Sequence, residues 1–141
     1  MAAVASISPL SDALDRVGDR WTLLTVAVLL DGPKRFKELE VELEGIAPNI
    51  LSSRLKALAE HGLVVQQPYS ERPPRFDYRL TDAGAELAGA LRLLADWGAR
   101  AGEAEPLRHG RCGTALRATW WCDTCAEPVA DPDADEPLDF V

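Results

Sequence analysis

Histidine occurs twice, cysteine three times and asparagine once in the 141 residues. No apolar run approaches the ~20 residues that a membrane-spanning helix requires. The opening residues, Met1-Ala2-Ala3-Val4-Ala5-Ser6, carry no basic stretch of the kind that begins a secretory leader. The expectation is a cytoplasmic protein without membrane contact. There is no glycine-rich phosphate loop and no evident pairing of a nucleophile with a base, which argues against an enzyme. Lysine is scarce as well, with three lysines against twelve arginines. That bias, with the near lack of asparagine, points to a GC-rich bacterial genome.

A net charge of −8 speaks at first sight against a nucleic-acid partner. Its distribution weakens the objection. Residues 1–102 carry 12 basic and 14 acidic side chains, whereas residues 103–141 carry 3 and 9. DNA binding depends on a local basic face, not on the total. With 47% apolar residues, the length allows one core-bearing domain and a small appendage.

The pattern along the chain is helix, helix, helix, helix, hairpin, helix. Pro9 suits a first helical turn, with Ser8 as its cap. Leu10, Leu14 and Val17 share one face, and Gly18 ends the segment. Residues 19–30, with Trp21, Leu24 and Val28, are apolar nearly all round and predict a central core helix. Asp31-Gly32-Pro33 stops it. Residues 34–43 predict a short amphipathic helix that turns Phe36, Leu39 and Leu43 inward. Pro48 starts the next helix, to about His61, with Leu51, Leu55 and Leu58 inward and Gly62 in the terminating position. Residues 63–67 read as a strand, 68–74 as a polar tip and 75–80 as the return strand. Thr81-Asp82 predicts the cap of one long helix to Arg100, whose stripe runs through Ala83, Leu87, Leu91, Leu94 and Trp97. That stripe is too long for one small domain to absorb. With Leu10 and Leu14 it predicts a homodimer interface. Residues 102–106 read as a linker, 107–129 as a cysteine-bearing module, and 130–141 as an acidic tail expected to be disordered.

The predicted fold is therefore mainly α with a small β-hairpin wing, a winged helix-turn-helix over residues 8–101, plus a small C-terminal zinc-ribbon-like module. A helix in the position of residues 48–61 enters the major groove of double-stranded DNA with its first residues on base edges. Asn49, Ser52, Ser53 and Lys56 lie on its outer face, with Arg54 at the edge. Arg72 and Arg75 stand on the wing, with Arg79 and Tyr69 nearby, where a hairpin follows the phosphate backbone or the minor groove. Any one of these residues also fits a solvated surface. The ordered set on two neighbouring elements is what points to DNA.

All three cysteines and one histidine fall within 17 residues, as His109-x2-Cys112-x9-Cys122-x2-Cys125. Two pairs of two-residue spacing, separated by a hairpin-length segment, are the pattern of a zinc ribbon. Three thiolates and one imidazole fill a tetrahedral zinc ion, so the expected site is closed and structural. Trp120 and Trp121 are expected to pack this module. The competing reading makes Cys122 and Cys125 a thiol redox pair or metal-dependent centre.

The stretch from Ala13 to Leu24, ALDRVGDRWTLL, resembles the opening of HxlR-type (MarR-like) regulators. Gly32-Pro33-Lys34-Arg35-Phe36-Lys37-Glu38-Leu39, then Gly45-Ile46-Ala47-Pro48-Asn49-Ile50-Leu51-Ser52-Ser53-Arg54-Leu55, are similar to the segments that follow in that family. So are Gly62-Leu63-Val64, Pro73-Pro74-Arg75-Phe76-Asp77-Tyr78-Arg79-Leu80-Thr81 and Leu94-Ala95-Asp96-Trp97. The resemblance covers about residues 8–100. It implies a dimeric winged-helix transcription regulator whose first and last helices form the dimer interface. Two positions depart from the pattern. Family members often carry a cysteine just before the first helix's proline, used as a redox sensor in some, and here Ser8 stands there. The turn before the reading helix commonly holds a serine cap, and here Ala47 stands there. A winged-helix module that binds protein instead of DNA is the remaining alternative, and nothing in the residues specifies a small-molecule effector.

Overall fold

The structure, a computed structural model, describes residues 9–129. Ser8, the expected cap of the first helix, and the acidic tail at 130–141 lie outside the described residues. The chain divides into two compact units, the first ending at Leu91 and the second beginning at Arg92. The division falls inside a helix, not at the expected linker of residues 102–106.

In the first unit, α1 (Pro9–Val17) and α2 (Arg20–Leu29) are followed by α3 (Phe36–Glu42) and α4 (Pro48–Glu60). Asp19 caps α2, its Oδ1 accepting from the amides of Trp21 at 3.0 Å and Thr22 at 3.1 Å. Leu24, expected in the core, is exposed, and Thr22 and Thr25 are buried in its stead. The Thr25 hydroxyl satisfies itself by donating to the Trp21 carbonyl at 2.6 Å. The third helix begins two residues later than expected. Lys34 is instead drawn into a β-bridge with Tyr78, and Glu38 reaches back to accept from the Arg35 amide. The core gathers Val26 and Leu29 of α2, Leu39 of α3, Leu51, Leu55 and Leu58 of α4, and Leu63 and Val64 beyond it.

The end of α4 follows the sequence closely. Gly62 takes φ +70°, the Leu63 amide donates to the Leu58 carbonyl at 2.9 Å, and the Gly62 amide donates to Ala59 at 3.0 Å. These two bonds are a Schellman motif, which a left-handed residue makes possible. Arg16 of α1 also donates to the His61 carbonyl at 3.1 Å. The wing is longer than predicted. β1 (Val64–Glu71) pairs antiparallel with β2 (Pro74–Leu80), so residues 68–71 are strand and not tip. The register shifts between Pro68 and Ser70, where a bulge absorbs the proline.

The long helix expected after Thr81 is two helices, α5 (Asp82–Ala85) and α6 (Ala88–Arg100). Thr81 does cap the start, accepting from the Gly84 amide at 3.1 Å. The break comes where the Leu87 amide bonds the Gly84 carbonyl, three residues back, at 3.2 Å. Leu87 and Leu91 pack against the core, while Leu94 and Trp97 further along α6 are exposed. Beyond α6, the second unit holds a two-stranded sheet of β3 (Trp120–Cys122) and β4 (Glu127–Val129).

Candidate nucleic-acid interface

Helix α4 owes its two faces to a leucine period. With Leu51, Leu55 and Leu58 locked in the core, Asn49, Ser52, Ser53 and Lys56 are left exposed on the other side. Lys56 makes a loose contact with Glu60 at 4.0 Å and extends into solvent. Its start is open. Ala47 adopts the extended conformation of a cap but offers no side-chain acceptor, and Pro48 fills the first turn. The first amides of α4 therefore point outward with partial positive charge.

Arg54 behaves differently from its neighbours. It is partly buried, and its Nε lies 3.0 Å from Asp19 Oδ1, which ties α4 to the start of α2. The approach forms an ion pair but misses hydrogen-bond geometry at Nε. A half-exposed guanidinium held this way braces the helix pair.

On the wing, Arg72 at the turn and Arg75 on β2 are exposed. Arg79 is committed to Asp77, with Nε–Oδ1 at 2.9 Å and Nη2–Oδ2 at 3.1 Å. The Arg79 hydrogen bonds hold the Asp77 carboxyl below its ordinary range, and Asp77 in turn raises the Arg79 guanidinium. Burial pushes the Tyr78 phenol up. Lys34 is likewise raised, chiefly by its hydrogen bond to Glu42 at 2.6 Å.

Two basic residues escaped the sequence reading. A groove of about 450 Å³ between α3 and the wing is lined by Arg35, Lys37, Tyr69 and Arg75 among others. Arg35 lies over the Tyr69 ring, 4.4 Å from its centroid. Lys37 stays highly exposed, although Glu40 lies 2.8 Å away. The clue in the sequence was the cluster Lys34-Arg35-x-Lys37. Helical period alone does not relate these residues to the wing, and the pairing of Lys34 with Tyr78 of β2 brings them beside it.

The cysteine module is gathered as two pairs. His109 Nδ1 lies 3.2 Å from Cys112 Sγ. The Thr114 hydroxyl, 3.3 Å from the same sulfur, and then the Thr114 amide hold that thiol below its ordinary value. Cys122 is lowered by hydrogen bonds from the backbone and then the side chain of Cys125. Among the described residues, no group of three or more His, Cys, Asp or Glu is placed to hold a metal ion. Trp120 and Trp121, expected to pack the module, are exposed instead, because two short strands offer them no opposing layer.

No helix among the described residues is long and apolar enough to cross a membrane. The profile of the HxlR-like helix-turn-helix family matches residues 16–106. The uncharacterized HTH-type transcriptional regulator Rv3095 of Mycobacterium tuberculosis is 41% identical over 122 residues, which cover 83% of this chain and 77% of that one. The HTH-type transcriptional regulator YodB of Bacillus subtilis is 35% identical over 88 residues, 62% of this chain and 79% of its own. The crystal structure of PA1607, a candidate transcription factor, aligns with a TM-score of 0.76 at 31% identity, covering 96% of this chain and 97% of that one. On the winged helix-turn-helix fold, the matched segment and these likenesses together, the chain belongs to the HxlR-like helix-turn-helix family.

Proposed function

We propose that this chain is a DNA-binding transcriptional regulator that recognises a palindromic operator as a homodimer. The observation that carries the reading is the outward face of α4, Asn49, Ser52, Ser53 and Lys56, together with a groove between α3 and the wing bearing Arg35, Lys37 and Arg75. An asparagine amide pairs with adenine, and serine hydroxyls meet base edges or phosphates. Arg72, Arg75, Arg35 and Lys37 hold the phosphate backbone and set the register. A phosphate at the start of α4 takes the place of the side-chain cap that Ala47 lacks. The net negative charge of the chain then matters less than this local cluster.

The homodimer rests on unpartnered apolar surface. Leu10 and Leu14 on α1 are 60% and 51% exposed, and Leu94 and Trp97 on α6 are 52% and 65% exposed. A second copy covers them and sets two reading helices about one DNA turn apart, ~34 Å. The test is a salt titration on fluorescent duplex DNA carrying the sequence that co-purifies with the protein. Affinity is expected to fall steeply and linearly on a log–log plot. An affinity that does not change with salt, or no duplex bound at all, contradicts the reading and favours a protein-binding winged helix.

A further inference from the structure

The residues after Ala101 hold a feature that DNA recognition leaves unused. None of residues 101–129 is buried, so no apolar core orders this part of the chain. Two short hairpins do, and they follow one plan. In the first, the Leu116 amide donates to the Leu107 carbonyl at 2.7 Å and the His109 amide to the Thr114 carbonyl at 2.9 Å. At its turn the His109 carbonyl accepts from the amides of Cys112 at 3.2 Å and Gly113 at 2.7 Å. In the second, β3 pairs with β4, and at the turn the Cys122 carbonyl accepts from the Ala126 amide at 2.8 Å.

The two turns correspond position by position. His109 matches Cys122 and Cys112 matches Cys125. Gly113 at φ +71° matches Ala126 at φ +56°. Ala126 is the only residue besides glycine with positive φ among the described residues. A side chain is disfavoured there, yet Ala126 holds the same left-handed turn that Gly113 makes freely. That shape folds the first and fourth residues of each turn toward one another.

We propose that the two turns are the halves of one structural zinc site with His109, Cys112, Cys122 and Cys125 as its four ligands. With bonds of about 2.05 and 2.3 Å, the nitrogen and sulfur ligands of tetrahedral zinc lie about 3.6 Å apart. His109 Nδ1 and Cys112 Sγ, at 3.2 Å, are already close to that separation. Three soft thiolates and one imidazole select zinc over magnesium or calcium, and they leave no position for a reactive water. The two pairs stand apart as described. Residues 116–119, which have no regular structure, connect the hairpins and let the ion draw them together. Metal binding then supplies the folding free energy that an absent core does not. It also gives Leu107, Leu116, Trp120 and Trp121, all exposed, a shared surface to close against.

The test uses the full chain, purified under reducing conditions without chelator. Elemental analysis is expected to find one zinc ion per chain, and cobalt exchanged into the site is expected to show the visible bands of a tetrahedral thiolate complex. Cys112→Ser and Cys122→Ser are each expected to lower zinc below about a tenth of an equivalent, while the far-ultraviolet circular dichroism of the helices is kept. Wild-type protein with less than that amount and no tetrahedral cobalt spectrum overturns the proposal. So does full zinc retained in Cys112→Ser, which would mean that the ion does not join the two turns. A Cys122–Cys125 disulfide detected by mass spectrometry in the reduced preparation overturns it in favour of a redox pair. Every readout is metal content, spectrum or bond, so its failure is separable from any failure of DNA binding.

Discussion

Ala47 leaves the start of α4 without a side-chain acceptor, although its backbone already has the extended cap conformation. Ala47→Ser is therefore expected to stabilise the first unit by about 1 kcal/mol, a rise of about 4 °C in Tm by thermal melting. On the outer face of the same helix, Asn49→Ala or Ser53→Ala is expected to change base preference in competition binding with altered duplexes. Arg75→Ala instead weakens all sequences alike and lowers the salt slope by about one. A third residue-scale effect concerns acid. The folded Asp77 carboxyl lies below 3.8, its unfolded value, because Arg79 binds the charged form. The pair therefore contributes stability above pH 3.8, which is lost as pH falls through the lower folded value. Urea midpoints for Asp77→Asn are expected to be lower at neutral pH and to converge on wild type in strong acid. The outward residues of α4 were legible because leucine spacing alone decides which side of a helix faces water. Arg54 was not, since its partner Asp19 lies far back in the sequence and only the packing of α4 on α2 brings them together.

At the scale of elements, breakers were readable and tertiary pairing was not. Gly62 ended α4 as its position predicts, and its φ of +70° makes the residue hard to replace. Gly62→Ala is expected to cost about 1 kcal/mol in chemical denaturation with an unchanged slope. Prolines misled in the wing. Pro68 reads as a tip residue, yet a two-stranded hairpin has open edges that tolerate a missing amide, and the bulge next to it restores the ladder. The single helix expected over residues 82–100 failed for a related reason. Its apolar stripe is continuous in sequence, but the tightened turn at Leu87 divides the backbone. Arg35 and Lys37 were hidden because the bridge from Lys34 to Tyr78, which forms their groove with the wing, has no local signature.

For the whole molecule, the apolar stripe expected over residues 82–100 separates into two roles. Leu87 and Leu91 serve their own core, and Leu94 and Trp97 stay exposed. Leu94→Asp is therefore expected to leave the fold intact and to give monomers by sedimentation, with specific DNA affinity reduced at least tenfold because a lone reading helix contacts one half-site. A wild-type protein that sediments as a monomer at micromolar concentration contradicts this arrangement. The most direct measurement of the central claim is selection of bound duplexes from a random DNA pool by the wild-type protein at moderate salt. The account predicts an enriched inverted repeat whose half-site centres lie about 10 base pairs apart. Recovery of sequences no different from the starting pool, or of a single unpaired half-site, would contradict it.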